Sequence, residues 1–348
     1  MSTNQVMVLT KANGARPRLS YELFSTCPSA AITPENYLDR VVQVAKWSEA
    51  AGCTGILVYA DNAQVDPWLA AQVIIQSTHS ICPLVAVQPV YMHPYSVAKM
   101  VSTLGFLYGR RVYLNMIAGG FKNDLAALND RTPHDSRYER LVEYTLIIRR
   151  LLEESKPLTF EGKFYHVSGL TLSPRLPAAL IPGILGSGSS EAGLAAAREM
   201  GATPVKYPEP PGQAVAHEDS ACGVRIGIVA RPDPDEAWEV ALDRFPEDRK
   251  GQLTHQLAMK VSDSTWHKRL SELGHGKSEG RETYWLHPFE TSKTFCPYLV
   301  GSYTNVSAEL ARYMATGFST FILDIPAAEE EFQHIGKVFE MASQRAVA

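Results

Sequence analysis

The feature that most constrains this chain is a repeated alternation of short β-rich runs with amphipathic helical segments. The run Leu19 to Ser25 is followed by Asn36 to Ala51, where Tyr37, Val41, Val44, Ala45 and Ser48 share one helical face and Thr33-Pro34-Glu35 signals the start. Thr54 to Ala60 then precedes the helix Pro67 to Ser77, Ile81 to Gln88 precedes Tyr95 to Leu107, and Arg111 to Ala118 precedes Ser136 to Glu154. Right-handed crossovers make successive strands of such units parallel, which leaves an open doubly wound sheet or a closed barrel. Ile181 to Gly186, Ala202 to Tyr207, Gly223 to Arg231 and Phe318 to Ile325 bring the strands to eight, and eight favours an α/β TIM (β/α)8 barrel. A chain of 348 residues is then one domain, 1–348.

Two segments interrupt the rhythm and read as insertions at about 156–174 and 246–298. Within the first, Leu158 to Leu172 alternates as a hairpin that turns at Glu161-Gly162. The second, Pro246 to Tyr298, is polar without a strong period and is expected to be a lid that is mobile without ligand. Pro208 to Ala221, rich in Pro, Gly and charge, is expected to be poorly ordered. The net charge of −4 comes from interspersed signs, with no polybasic block for nucleic acid or an acidic membrane, so the partner is a small molecule. Cys27, Cys53, Cys82, Cys222 and Cys296 are widely spread without metal-ligand or redox spacing, which fits reduced thiols and predicts no metal site. Neither a signal peptide nor a membrane-length apolar run is evident, and the expected location is cytoplasmic.

A barrel places its active site at the C-terminal strand ends, so the residues there carry the argument about chemistry. Gly186-Ser187-Gly188-Ser189-Ser190-Glu191 follows a strand and opens an Ala-rich helix, which makes it a phosphate-binding candidate or an ordinary turn with a serine N-cap. Pro133-His134-Asp135-Ser136-Arg137-Tyr138 opens another helix and reads either as a second contact to that anion or as a first turn capped by Asp135 or Ser136. Asn115 lies on the fourth strand, and Ala118-Gly119-Gly120 permit close backbone approach to a flat ring, or form only a tight turn. Cys27, His79, His93 and Tyr207 each read more readily as structural than as catalytic. No Ser-His-Asp order stands out, and cofactor-borne chemistry suits such a barrel.

Together, several motifs make the chain resemble the luciferase-like flavin monooxygenases, and among them the alkanesulfonate monooxygenases. They are Trp47-Ser48-Glu49-Ala50-Ala51-Gly52, Asp66-Pro67-Trp68-Leu69-Ala70-Ala71, Leu114 to Gly120, and Arg137-Tyr138-Glu139-Arg140 with Glu143-Tyr144. Phe160-Glu161-Gly162-Lys163, Gly188-Ser189-Ser190-Glu191 and Pro208-Glu209-Pro210-Pro211 complete the set, which spans Tyr37 to Phe332. The resemblance implies an FMN cofactor, used as FMNH2 from a separate NAD(P)H-dependent flavin reductase and with O2 as co-substrate. Its phosphate would lie near His134, Tyr138, Gly188, Ser189 and Ser190, and its ring near Asp61, Gln88, Asn115 and Ala118. It also implies a non-prolyl cis peptide around Val87 and Gln88, and a homodimer or homotetramer.

The departures from the sulfonate enzymes bear on the substrate. Their seventh-strand Arg-x-His becomes Arg225-Ile226-Gly227, and a tyrosine after the eighth strand becomes Ile325. Gln64 and Cys27 stand in place of a cysteine and a histidine, Tyr207 replaces a tryptophan, and only Lys293 or Ser292 falls near the lid arginine that would hold a sulfonate. The expected function is therefore FMNH2-dependent oxygenation of a small molecule other than a simple alkanesulfonate. Asn115 and Asp61 would position the ring, Arg225 and Lys293 would meet an anionic part of the substrate, and Cys27 and Tyr207 would line the pocket. The alternatives are an F420-dependent hydride-transfer oxidoreductase or a flavin-binding relative without catalysis.

Overall fold

The computed structural model describes residues 9–10, 18–29, 34–119, 121–210, 221–261, 270–271 and 281–346. Gly120 and most of Pro208 to Ala221 lie outside the described residues, as does Thr33 of the helix start. The fold is a (β/α)8 barrel, and its parallel strands are those expected: β1 Glu22–Thr26, β2 Gly55–Val58, β3 Cys82–Val87, β4 Tyr113–Ile117, β5 Ile184–Ser187, β6 Thr203–Lys206, β7 Cys222–Arg231 and β8 Phe318–Leu323. Among the described helices are α1 Pro34–Ala50, α2 Pro67–Ser77, α3 Pro94–Tyr108, α4 His134–Glu153, α5 Glu191–Met200, α6 Pro234–Arg244, α7 Tyr303–Ala315 and α8 Glu330–Arg345. Contacts divide the chain into two compact units, one running from Ser25 to Lys206, the other containing Tyr207–Met259 and the C-terminal segment.

In the Ser25–Lys206 unit the strands pair in parallel in the order β6-β5-β4-β3-β2. Alternation along each strand sends Val85, Val87, Leu114 and Met116 into one apolar cluster with Trp68, Tyr144 and Ile148, and turns Asn115 to the opposite face. Complete burial of each such side chain contributes about 1.5–3 kcal/mol. Pro at the start and a capping side chain fix α2 and α3: Asp66 accepts from the amides of Trp68 and Leu69, and His93 accepts from that of Tyr95. Glu49, in the first of the family-like motifs, accepts from the amides of His79, Ser80 and Ile81 at 2.8, 2.5 and 3.1 Å and so clamps the turn into β3. The hairpin strands Leu158–Glu161 and His166–Leu170 pair antiparallel as expected, with the turn falling after Glu161. Glu143 closes that turn by accepting from the amides of Lys163, Phe164 and Tyr165.

In the other unit, β8 pairs with β1 on one side and with the first half of β7 on the other. The second half of β7, Gly227 to Arg231, leaves β8 and pairs in parallel with a further strand, Tyr298–Ser302, which the sequence reading did not contain. The segment Pro246 to Tyr298 also departs from expectation, because it holds the helix Arg249–Val261, the short helix His287–Glu290 and the strand Tyr284–Trp285. The period of the longer helix is hard to read because two of its leucines, Leu253 and Leu257, face solvent at 62% and 63% exposure. Val229, Trp238, Phe245, Cys296 and Tyr298 form one apolar cluster of this unit.

Candidate active site

The strand-end residues of the Ser25–Lys206 unit gather around three connections. After β5 the chain turns through Gly188 and Ser189 into α5, whose N-cap is Ser190, with its Oγ accepting from the amide of Gly193 at 3.1 Å. Tyr138, near the start of α4, shares a hydrogen bond with Ser190, and the His134 ring meets the Tyr138 ring edge-on at 5.2 Å. Burial holds the Tyr138 phenol above its ordinary pKa, against the opposing effects of Ser190 and the Arg137 guanidinium. A Cβ at Gly188 would stand 2.7 Å from the Tyr138 hydroxyl, so only glycine lets the loop lie this close. The serine N-cap is Ser190, whereas α4 is preceded by Pro133 with no side-chain cap, so neither Asp135 nor Ser136 caps that helix. His134 is engaged with Asp135 at 2.7 Å.

The second connection is at β4, where Asn115 Oδ1 accepts from the Ser187 hydroxyl at 2.8 Å, so the ends of β4 and β5 are tied by the side chain expected near a ring. Ala118 is buried beside it, and Gly119 adopts φ +98°, a conformation that favours glycine. The third connection holds a cavity of about 320 Å3 lined by Ala60, Asp61, Trp68, Val87, Gln88 and Tyr91. Gln88 Nε2 donates to the Ala60 carbonyl at 2.7 Å, which fixes its amide between the ends of β2 and β3. The Val87–Gln88 peptide is trans, contrary to expectation, and among the described residues only Ser173–Pro174 is cis. Tyr91, which the sequence reading passed over, donates to Asn62 at 2.9 Å, and burial together with the Asp124 and Asp61 carboxylates raises its pKa to about 12. Cys27 is buried beside Tyr37, and burial pushes its thiol up to about 12, so it is protonated at neutral pH.

The Tyr207 to C-terminal unit holds a second group around the end of β8. Arg225 lies on β7 with Nη2 at 3.8 Å from Asp324 Oδ1, and Tyr298 donates to Asp324 Oδ2 at 2.7 Å. Burial drives the phenols of Tyr207 and Tyr298 and the thiol of Cys296 upward, and the Asp324 carboxylate adds to each shift. Gly227, standing where the sulfonate enzymes carry a histidine, is what admits Tyr298: a Cβ there would meet its ring at 2.2–2.4 Å. Tyr298 was missed because it belongs to the unexpected strand, although Gly227 was noted. Lys293 stands apart from this group, paired with Asp248 at 2.6 Å.

The sequence profile of the luciferase-like monooxygenases matches residues 21–320. The chain belongs to the luciferase-like monooxygenases. It is an oxidoreductase of the monooxygenase class, and a curated relative is 34% identical over 315 residues, covering 88% of this chain and 92% of that one. That relative is the 4-(gamma-L-glutamylamino)butanoyl-[BtrI acyl-carrier protein] monooxygenase BtrO of Niallia circulans. Among solved structures, the EDTA monooxygenase of Chelativorans sp. BNC1 superposes with a TM-score of 0.72 at 14% identity, over 94% of each chain. The oxygenating constituent of 3,6-diketocamphane monooxygenase from Pseudomonas putida, in complex with FMN, gives 0.67 at 15% identity, over 94% of this chain and 98% of that one. These two likenesses show the fold. No helix among the described residues is long and apolar enough to cross a membrane, and no group of metal-ligating side chains occurs among them.

Proposed function

We propose that this luciferase-like monooxygenase is the oxygenating half of a two-component system, using FMNH2 from a separate reductase and O2, and that its substrate is a short acyl thioester on a carrier protein. The observation that carries the cofactor reading is the Gly188 cradle, where backbone, the Ser190 cap and the Tyr138 hydroxyl converge within a space that a single methyl group would fill. Such a helix N-terminus suits a phosphate monoester. Ser189, Ser190, Tyr138 and His134 would hold the phosphate, while Asp61, Gln88, Asn115 and Ala118 would face the ring. Reduced flavin supplies the electrons that let O2 enter an unactivated substrate.

The chain's own contribution is binding, orientation and the exclusion of water. Gln88 and Asn115 are held in place by Ala60 and Ser187, so their amides are preorganised. Cys27 and Tyr207 keep their protons at neutral pH, so they would serve as unreactive walls. Arg225, balanced by Asp324, would orient the polar end of the acyl group rather than neutralise a free anion. That assignment agrees with the loss of the sulfonate-binding pattern and with the substrate named for the 34% identical relative.

The test is single-turnover oxygenation. Protein loaded anaerobically with FMNH2 and 4-(γ-L-glutamylamino)butanoyl carrier thioester is exposed to O2, and intact mass is read on the carrier. A gain of one oxygen atom, absent with oxidised FMN, is the expected result. Tight binding of F420 with none of FMNH2 would replace this reading with hydride transfer.

A further inference from the structure

Resting on the carrier-thioester reading, the helix Arg249–Val261 has the character of a docking surface. The helix contains Arg249, Lys250 and Lys260 and no carboxylate, in a chain whose net charge is −4. Arg249 and Lys250 are exposed, and Leu253 and Leu257 lie one turn apart on the same outward side at 62% and 63% exposure. Two leucines so placed add nothing to the core. The opposite face is the anchored one: His255 is buried, hydrogen-bonds Ser271 at 2.8 Å and packs edge-on against Phe289 at 4.7 Å.

The acids just before the helix cancel its charge only in part, because Asp248 has its own lysine and the exposed Glu247 sets one negative charge against the two of Arg249 and Lys250. Asp248 is bound to Lys293 at 2.6 Å and accepts from the amide of Gly251, while Glu247 lies 4.0 Å from His287. The helix start also leads toward the proposed substrate group, because Ser292 reaches the Gly251 carbonyl and the Arg225 guanidinium lies 5.8 Å from the Phe295 ring. A cation pair flanking an exposed leucine pair complements an amphipathic, acidic partner, and on a net-negative protein such a patch decides where that partner lands.

We infer that this face docks the acidic helical carrier protein, with Arg249 and Lys250 meeting its carboxylates and phosphopantetheine phosphate, and with Leu253 and Leu257 filling the apolar centre. The test compares the wild-type chain with Arg249→Glu/Lys250→Glu and, separately, with Leu253→Ser/Leu257→Ser, all exposed positions whose replacement leaves the core intact. The probe is carrier protein bearing 4-(γ-L-glutamylamino)butanoyl-phosphopantetheine, and the same acyl group on free pantetheine is the control.

The expected result is carrier affinity weakened at least tenfold in the charge-reversed form, with wild-type affinity falling as salt rises and turnover of the free pantetheine thioester unchanged. Equal carrier affinity in all three proteins, or no carrier binding by the wild type, overturns the docking face. Salt-sensitive binding that the variants abolish, without any oxygenated product, would support the face and defeat the oxygenation reading instead.

Discussion

The two polar groups of this barrel are built on different principles. Around Gly188 the arrangement is local: a turn, a helix cap and one tyrosine from the start of α4 account for it, and the residues are near neighbours of recognisable motifs. Around Asp324 it depends on register, because Arg225 on β7, Tyr298 on the added strand and Asp324 just past β8 meet only once β7 has passed from β8 to Tyr298–Ser302 along its length. A site of the first kind tolerates change elsewhere in the fold. A site of the second kind is bound up with the stability of its unit.

The sharpest test of that difference is Gly227→Ala. The new methyl would stand 2.2–2.4 Å from the ring of Tyr298, which is fully buried and cannot swing aside. Overpacking of this kind costs about 3 kcal/mol at the upper end of its usual range. Urea unfolding should shift accordingly, and Tyr298→Ala in the same chain should interact with the glycine substitution rather than add to it. Simple additivity would mean that the two residues do not share the strain.

Gly188→Ala should behave in the opposite way. Its methyl would crowd the Tyr138 hydroxyl at 2.7 Å, but that side chain is only partly buried, where the ring of Tyr298 is wholly so. The expected outcome is FMN affinity lowered about tenfold, or about 1.4 kcal/mol, with the unfolding midpoint almost unmoved. Titration by flavin fluorescence checks it. Unchanged affinity would detach the cradle from the cofactor.

The same contrast explains how much of the fold is legible in the sequence. All eight barrel strands were legible because each is a short β-rich run and most are followed by a helical period, whereas the length of β7, ten residues where its neighbours have four to six, emerges only in the fold. What that length meant was not legible: the excess pairs with Tyr298–Ser302, a run interrupted by Gly301 and preceded by Pro297 that reads poorly as a strand. The places of Asn115 and Gln88 at strand ends and of Ser190 at a helix cap were legible because strand ends and caps can be counted along the chain. The partners of Arg225 could not be found that way, since Asp324 lies 99 residues further on and only register brings it near. Glu49 and Glu143 show the reverse case, in which conspicuous motif carboxylates fasten turns by accepting backbone amides.

A smaller effect separates support of the cradle from the cradle itself. Asp130, just before α4, is held to Arg140 at 2.6 Å and accepts from both the amide and the hydroxyl of Thr132. Burial opposes its ionisation, but these donors and the Arg140 charge prevail and bring its pKa from 3.8 down to about 2. A carboxylate whose pKa is lower in the folded chain stabilises it above the unfolded value, and that stability is lost as pH falls from about 4 toward 2. Asp130→Asn should therefore cost about 1.5 kcal/mol at pH 7, in the range of a hydrogen bond to a charged group. The gap between the two proteins should narrow as the medium is acidified and close near pH 2. The flavin affinity of the folded variant at neutral pH should stay within about twofold of the parent, because Asp130 steadies the approach to α4 without touching Tyr138 or Ser190. A gap that stayed constant with pH would show that the Arg140 pairing is not what holds Asp130 ionised.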